Sequence, residues 1–231
     1  TVDPAENYIS GEITSYFVPT EDEFQQINFD FADNMTIVEV RYGSELLNAQ
    51  QAEDNLKINL PEIIPNGQLD SISVKYEGAP NSTGFGSFTQ GTHNGVPILW
   101  TLSEPYGAKV WWPCKQDLTD KIDSVDIIVK TPDAYRVGSN GKLISETPEG
   151  DLMVYHWKHR YPITAYLVAI AVTNYEVFSD FVEIDNGAIE VLNYVFPEDL
   201  SQAEDQLEST IEIMELFNEL FEIYPFADEK Y

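Results

Sequence analysis

Apolar and polar residues alternate with a period of two along most of the chain. In 55–60, Leu56, Ile58 and Leu60 share one face, and in 69–76, Leu69, Ile72, Val74 and Tyr76 fall largely on one side. Successive side chains of a strand point to opposite faces, so this period predicts half-buried β-strands. Comparable segments rich in Val, Ile, Tyr, Phe and Trp lie at 8–18, 24–31, 36–42, 125–130, 135–137, 152–159, 165–174 and 189–196. Between them stand turn sequences such as Pro65-Asn66-Gly67, Ser139-Asn140-Gly141 and Pro148-Glu149-Gly150, where Gly, Pro and Asn supply the required backbone angles. Strand follows strand without the long helices that βαβ units need. The expected class is therefore mainly β, an antiparallel sandwich or saddle.

The period changes near the C-terminal end. Ala203, Leu207, Ile211, Met214, Phe217 and Phe221 recur at helical spacing, which predicts one long helix from Leu200 with a single buried stripe. Asp199 with Gln202, or Ser201 with Glu204, offers a capping box, and Pro225 disfavours helix at Tyr224. A strand leading into a helix after a long all-β stretch predicts a second domain beginning near Asp185-Asn186-Gly187. The expected division is 1–185 and 186–231, the second part being incomplete.

Composition narrows the function classes. The 231 residues contain 12 Lys and Arg against 40 Asp and Glu, a net charge of 12 − 40 = −28. Such a surface repels phosphate, which argues against a general nucleic-acid binder or a binder of anionic membranes; a solvated acidic face is the simplest reading. With 43% apolar and 13% aromatic residues the chain carries enough to bury a core, which excludes disorder. No apolar run approaches the roughly 20 residues of a membrane-spanning helix. Thr1 opens no signal peptide and there is no initiator Met, so the chain is expected to be a processed or trimmed piece of a longer one. Export and a cytoplasmic location both fit.

Candidate chemistry is sparse. There is no His-Glu-x-x-His, and of the three histidines His156 and His159 lie three apart on a predicted strand, hence on opposite faces. His93 sits in the glycine-rich turn Gly91-Thr92-His93-Asn94-Gly95. No zinc site is expected among these residues. Gly-x-Ser-x-Gly and phosphate-cradling glycine motifs are absent. Cys114, the one cysteine, follows Pro113 and two tryptophans and reads as a buried, inert thiol. Asp117, Asp120, Asp123 and Asp126 do not follow a calcium-loop order and read as a solvated face. On these grounds alone the chain is an acidic β module of open role.

One stretch goes further. Residues 101–114 read Thr-Leu-Ser-Glu-Pro-Tyr-Gly-Ala-Lys-Val-Trp-Trp-Pro-Cys, followed by Lys115-Gln116-Asp117 and Lys121. This resembles the N-terminal domain of the aminopeptidase N family of zinc metallopeptidases, with its Thr-Gln-x-Glu-Pro-x-x-Ala-Arg, an apolar pair, Pro-Cys-x-Asp-Glu-Pro and a later Lys. Thr101, Glu104, Pro105, Ala108, Pro113, Cys114 and Lys121 fall in register without a gap, and Lys109 keeps the charge of the Arg. The Gly-Phe-Gly-Ser-Phe of 84–88, Ser139-Asn140-Gly141, and Pro162 with Tyr166-Leu167 are similar to further family segments in the same order. Leu102 and Gln116 depart from the pattern. The Gly-x-Met-Glu-Asn loop and the zinc motif, which in the family lie further along, do not occur.

The resemblance implies a saddle-shaped β domain followed by the first strand and helix of a thermolysin-like catalytic domain. It implies that Glu104 binds the free α-amino group of a peptide substrate. It assigns no catalytic and no metal-ligating residue to this chain: zinc belongs to the full-length enzyme, a hydrolase that removes N-terminal residues, and the fragment itself is expected to be inactive. The implied partners are a peptide, through its free N-terminus, and the protein's own catalytic domain. Two alternatives stay open: a carbohydrate-binding β-sandwich using Trp111, Trp112 and Trp157 as a platform, and a non-catalytic scaffold homologue that has lost the zinc motif.

Overall fold

The alternating segments do fold as strands, and the structure, a computed structural model, describes residues 1–185 and 187–231. The chain falls into two units. One comprises Thr1–Gly91, Leu99–Ile122 and Ile163–Ala169; the other comprises Thr92–Ile98, Asp123–Pro162 and Ile170–Tyr231.

In the first unit lie β1 (Ile9–Phe17), β2 (Phe24–Asp30), β3 (Met35–Tyr42), β4 (Glu45–Leu46), β5 (Ala49–Ala52), β6 (Asn55–Ile64) and β7 (Asp70–Gly78). They form two antiparallel sheets with the orders β1-β7-β3-β4 and β2-β6-β5. The inward positions are those the alternation marks: Leu56, Ile58 and Leu60 of β6, and Ile72, Val74 and Tyr76 of β7, are buried. Leu69 lies just before β7 and is exposed, so it leaves that stripe. Phe31 meets Tyr76 edge-on with ring centroids 5.3 Å apart, a geometry worth about 1 kcal/mol beyond the buried area.

Next come β8 (Ser87–His93) and β9 (Val96–Leu102), which the hydrophobic pattern does not announce. Gly91 and Pro97 sit inside them, and both residue types lower strand propensity; pairing in the sheet overrides it. Then follow β10 (Val125–Pro132), β11 (Arg136–Ser139), β12 (Lys142–Glu149), β13 (Leu152–His159) and β14 (Ile170–Thr173). The sheet orders are β10-β13-β12 and β11-β14-β9-β8. The strand expected over 165–174 begins only at Ile170, because Ala165–Leu167 is a 3-10 turn closed by Leu167 N–H to the Thr164 carbonyl.

β15 (Glu176–Ile184) and β16 (Gly187–Val195) are paired antiparallel, Glu176 opposite Val195 and Ile184 opposite Gly187. Of the expected boundary residues, Asn186 lies outside the described residues. The long helix α1 runs from Leu200 to Leu220. Its expected capping box does not form: Asp199 occupies the N-cap with helical backbone angles and no side-chain cap bond, and a 3-10 turn, Pro197–Asp199, leads into it. The stripe divides. Ile211 and Met214 pack on Val182, Ile189 and Val191 of the β15–β16 pair, whereas Phe217 and Phe221 are exposed together with Leu216 and Leu220.

The Ser139-Asn140-Gly141 turn tests the local argument. Gly141 has φ +76°, and a Cβ there would lie 2.1 Å from the Lys158 carbonyl oxygen, a backbone atom that cannot swing aside. Gly150 also has positive φ, +64°, but open space around it. Gly141→Ala is expected to cost about 2 kcal/mol or more, and Gly150→Ala about 1 kcal/mol. Thermal melts of the two variants check this, and equal losses would overturn it.

Candidate functional site

Glu104 lies in the short segment between β9 and a 3-10 turn, Ala108–Val110. The segment is clamped at both ends. Ser103, only 1% exposed, accepts a hydrogen bond from Trp111 Nε1 at 2.9 Å and donates its hydroxyl to the Ser87 carbonyl at 3.3 Å. Gly107 donates its N–H to the Ser103 carbonyl at 2.8 Å, and Trp111 packs against Phe88. Gly107 is required by close approach, since a Cβ would fall 2.1 Å from Ser87 Oγ. Between these clamps Glu104, Pro105 and Tyr106 stand exposed. Among the described residues no ion pair engages the Glu104 carboxylate.

The rest of the motif ties this segment to the first unit's sheets. Cys114 exchanges two backbone hydrogen bonds with Asp30, at 2.7 and 3.1 Å, and Gln116 N–H donates to Asp30 Oδ2 at 2.9 Å. The Gln116 amide oxygen, at the position where the chain departs from the pattern, accepts the Lys109 N–H at 3.2 Å. The Lys109 carbonyl in turn accepts from Ala32 N–H at 2.9 Å. Cys114 is buried with Ala108, Ala165 and Trp112, and burial pushes its thiol pKa well above the ordinary value. The motif thus supplies one presented carboxylate and a scaffold that holds it.

Lys109 Nζ also pairs with Asp54 Oδ2 at 2.8 Å. That hydrogen bond, followed by one from Asp33 N–H, holds the Asp54 carboxyl below its usual pKa against the effect of burial. A group depressed on folding stabilises above its unfolded pKa and loses that contribution as pH falls through the folded value. Below about pH 4, stability should therefore fall less steeply for Asp54→Asn than for the unsubstituted protein. Urea midpoints across that range measure it, and parallel slopes would contradict it.

The histidines are each engaged by a carboxylate. His93 pairs with Glu198 and stacks on Phe196. His156 Nε2 lies 2.7 Å from Asp126 Oδ1, and His159 Nδ1 lies 2.6 Å from Glu229 Oε2. Among the described residues no three His, Cys, Asp or Glu side chains converge in a way that could hold a metal; the residues present do not fit a zinc centre. Trp157 is fully buried, Trp111 nearly so and Trp112 half-buried. The tryptophan platform of the carbohydrate alternative therefore does not exist. Sequence reasoning missed the supports Ser87, Ser103, Gly107 and Asp30. Ser103 and Gly107 lie inside the motif, which is the one signal that would have found them.

Residues 3–167 match the family model described as the peptidase M1 N-terminal domain. The chain belongs to the peptidase M1 family. Endoplasmic reticulum aminopeptidase 1 of Homo sapiens is 26% identical over 179 residues, which cover 75% of this M1 chain and 19% of that protein. The fold is similar to that of an M1 zinc metallopeptidase from Deinococcus radiodurans, with TM-score 0.79 and 18% identity over 97% of this chain and 52% of that one. A mutant form of that enzyme bound to a Tyr-Ser-Ala substrate gives the same TM-score. A two-domain M1 zinc metallopeptidase mutant bound to L-arginine gives 0.80 at 18% identity. The present chain spans about a fifth of the human relative's length and about half of the bacterial ones.

Proposed function

We propose that the chain is the substrate-anchoring part of a zinc aminopeptidase, in which Glu104 receives the free α-amino group of a peptide. The supporting observation is the exposed Glu104 carboxylate, without an ion pair among the described residues, held between the buried clamps Ser103 and Gly107 inside the M1 motif. An ammonium taken out of water needs a fixed anion, and a charge-assisted hydrogen bond supplies it. A backbone segment already held in place loses little conformational freedom on binding. Because the anion reads the chain end, it also restricts cleavage to the first peptide bond.

The zinc and the groups that activate water are assigned to a part of the protein outside residues 1–231, which alone are catalytically silent. Residues 1–185 form the N-terminal β domain and 186–231 open the catalytic domain. The exposed side of α1, with Leu216, Phe217, Leu220 and Phe221, is the surface the rest of that domain covers.

A crystal structure of the full-length protein with a bound tripeptide tests the reading. The peptide amine is expected within about 2.7–3.2 Å of a Glu104 oxygen. A tripeptide bound with its amine elsewhere, and Glu104 in solvent, would overturn it.

A further inference from the structure

In the second unit, β12 and β13 bring two of the chain's 12 basic residues into direct opposition: Lys142 and Lys158 are cross-strand partners. Directly opposed residues share a face, and like charges placed so repel each other. Among the described residues seven of the 12 Lys and Arg form ion pairs with carboxylates. In a chain with 40 acidic residues a partner would be easy to place, yet neither Lys142 nor Lys158 is among those seven.

The neighbouring carboxylates are committed elsewhere. Asp126, opposite Lys158 on β10, faces His156 through Oδ1 at 2.7 Å and accepts from Arg160 Nη2 through Oδ2 at 2.7 Å. Buried Glu229 accepts the Arg160 N–H at 2.6 Å and lies against His159. Both lysines line a cavity of about 340 Å³. Its apolar wall is Ile144 with the ring of Tyr161. Ile144 is 52% exposed and sits at a β-bulge, where the register shifts between Leu143 and Ser145; a bulge re-aims the side chain it carries. Asp228 and Arg160 lie on the same lining. Asp228 interacts with the Tyr161 hydroxyl and the Arg160 guanidinium is paired with Asp126, which leaves Lys142 and Lys158 as the lining's cations outside an ion pair among the described residues.

We propose that this cavity binds a small organic oxyanion, a carboxylate or a phosphate monoester, with Lys142 and Lys158 as its two cationic contacts. The ligand's charge relieves the repulsion between the ammonium groups, and Ile144 and Tyr161 cover its apolar part. The site is independent of Glu104.

The test uses the full-length protein at low ionic strength with two probes, phenyl phosphate followed by ³¹P linewidth and benzoate followed by ¹H linewidth. Saturable broadening of at least one probe is expected, and the probe that responds identifies the oxyanion. Lys142→Ala and Lys158→Ala should each weaken it about tenfold or more, since each removes a charge-assisted contact. The double variant should abolish it, while Lys115→Ala, which removes a lysine paired with Asp120, should leave it unchanged. Both lysines are exposed, so the variants should melt no lower than the unsubstituted protein. No saturable broadening of either probe, or full binding by the double variant, would overturn the proposal.

Discussion

Glu104→Gln in the full-length protein is expected to lower kcat/KM for peptides with a free amino terminus by about ten- to a hundredfold, the worth of one charge-assisted hydrogen bond at roughly 1.5–3 kcal/mol. The variant keeps the size and the hydrogen-bonding oxygen but removes the countercharge of the ammonium. Folded stability should barely change, because the side chain is exposed and the clamps Ser103, Gly107 and Trp111 are untouched. The comparison substrate is a des-amino analogue, which lacks the charge that Glu104 meets. Its kcat/KM should hardly move. Equal losses on both substrates would mean that Glu104 supports the segment instead of reading the amine. No loss on either would make it a surface carboxylate.

The second large effect lies in the core. Trp157→Ala is expected to destabilise by about 3–5 kcal/mol, as removing a large buried aromatic does. Trp157 is fully buried on β13. Its ring lies 6.2 Å from that of Tyr194, and the Lys230 ammonium stands 5.3 Å above it. Trp157→Phe should cost much less, about 1–2 kcal/mol. The reason is that the indole N–H is buried without a hydrogen-bond partner among the described residues, so replacing it forfeits packing but no bond. Thermal denaturation of both variants separates the two contributions. Similar losses from Ala and Phe would mean that the N–H carries the stability after all.

The strands read from alternation are those whose inward faces are apolar, such as β6 and β7, because burial and period are the same signal there. β4, β5, β8, β9, β12 and β15 escaped that reading. β4 and β5 are very short, Gly91 and Pro97 disrupt β8 and β9, and β12 is exposed along almost its whole length. β15 pairs with β16 along a surface covered by α1, so its half-buried pattern does not alternate cleanly. The helix was legible as a stripe, but not how much of the stripe is buried. Along the helix, packing on the β15–β16 pair stops at Met214, and Phe217 and Phe221, which pack edge-on against each other, stay more than half exposed.

The candidate site divides along the same line. Sequence alone determined the mainly β class, the burial of Cys114 and the place of Glu104 within the motif, because burial patterning and the motif are both local in the chain. Tertiary structure decided the remainder. It placed Ser87 under Ser103, joined Cys114 to Asp30 and Lys109 to Asp54, turned Trp157 into the core and set Lys142 against Lys158. Each of these depends on which strands pair and in what register. That choice comes from the summed burial and hydrogen bonding of whole sheets, and no single segment carries it.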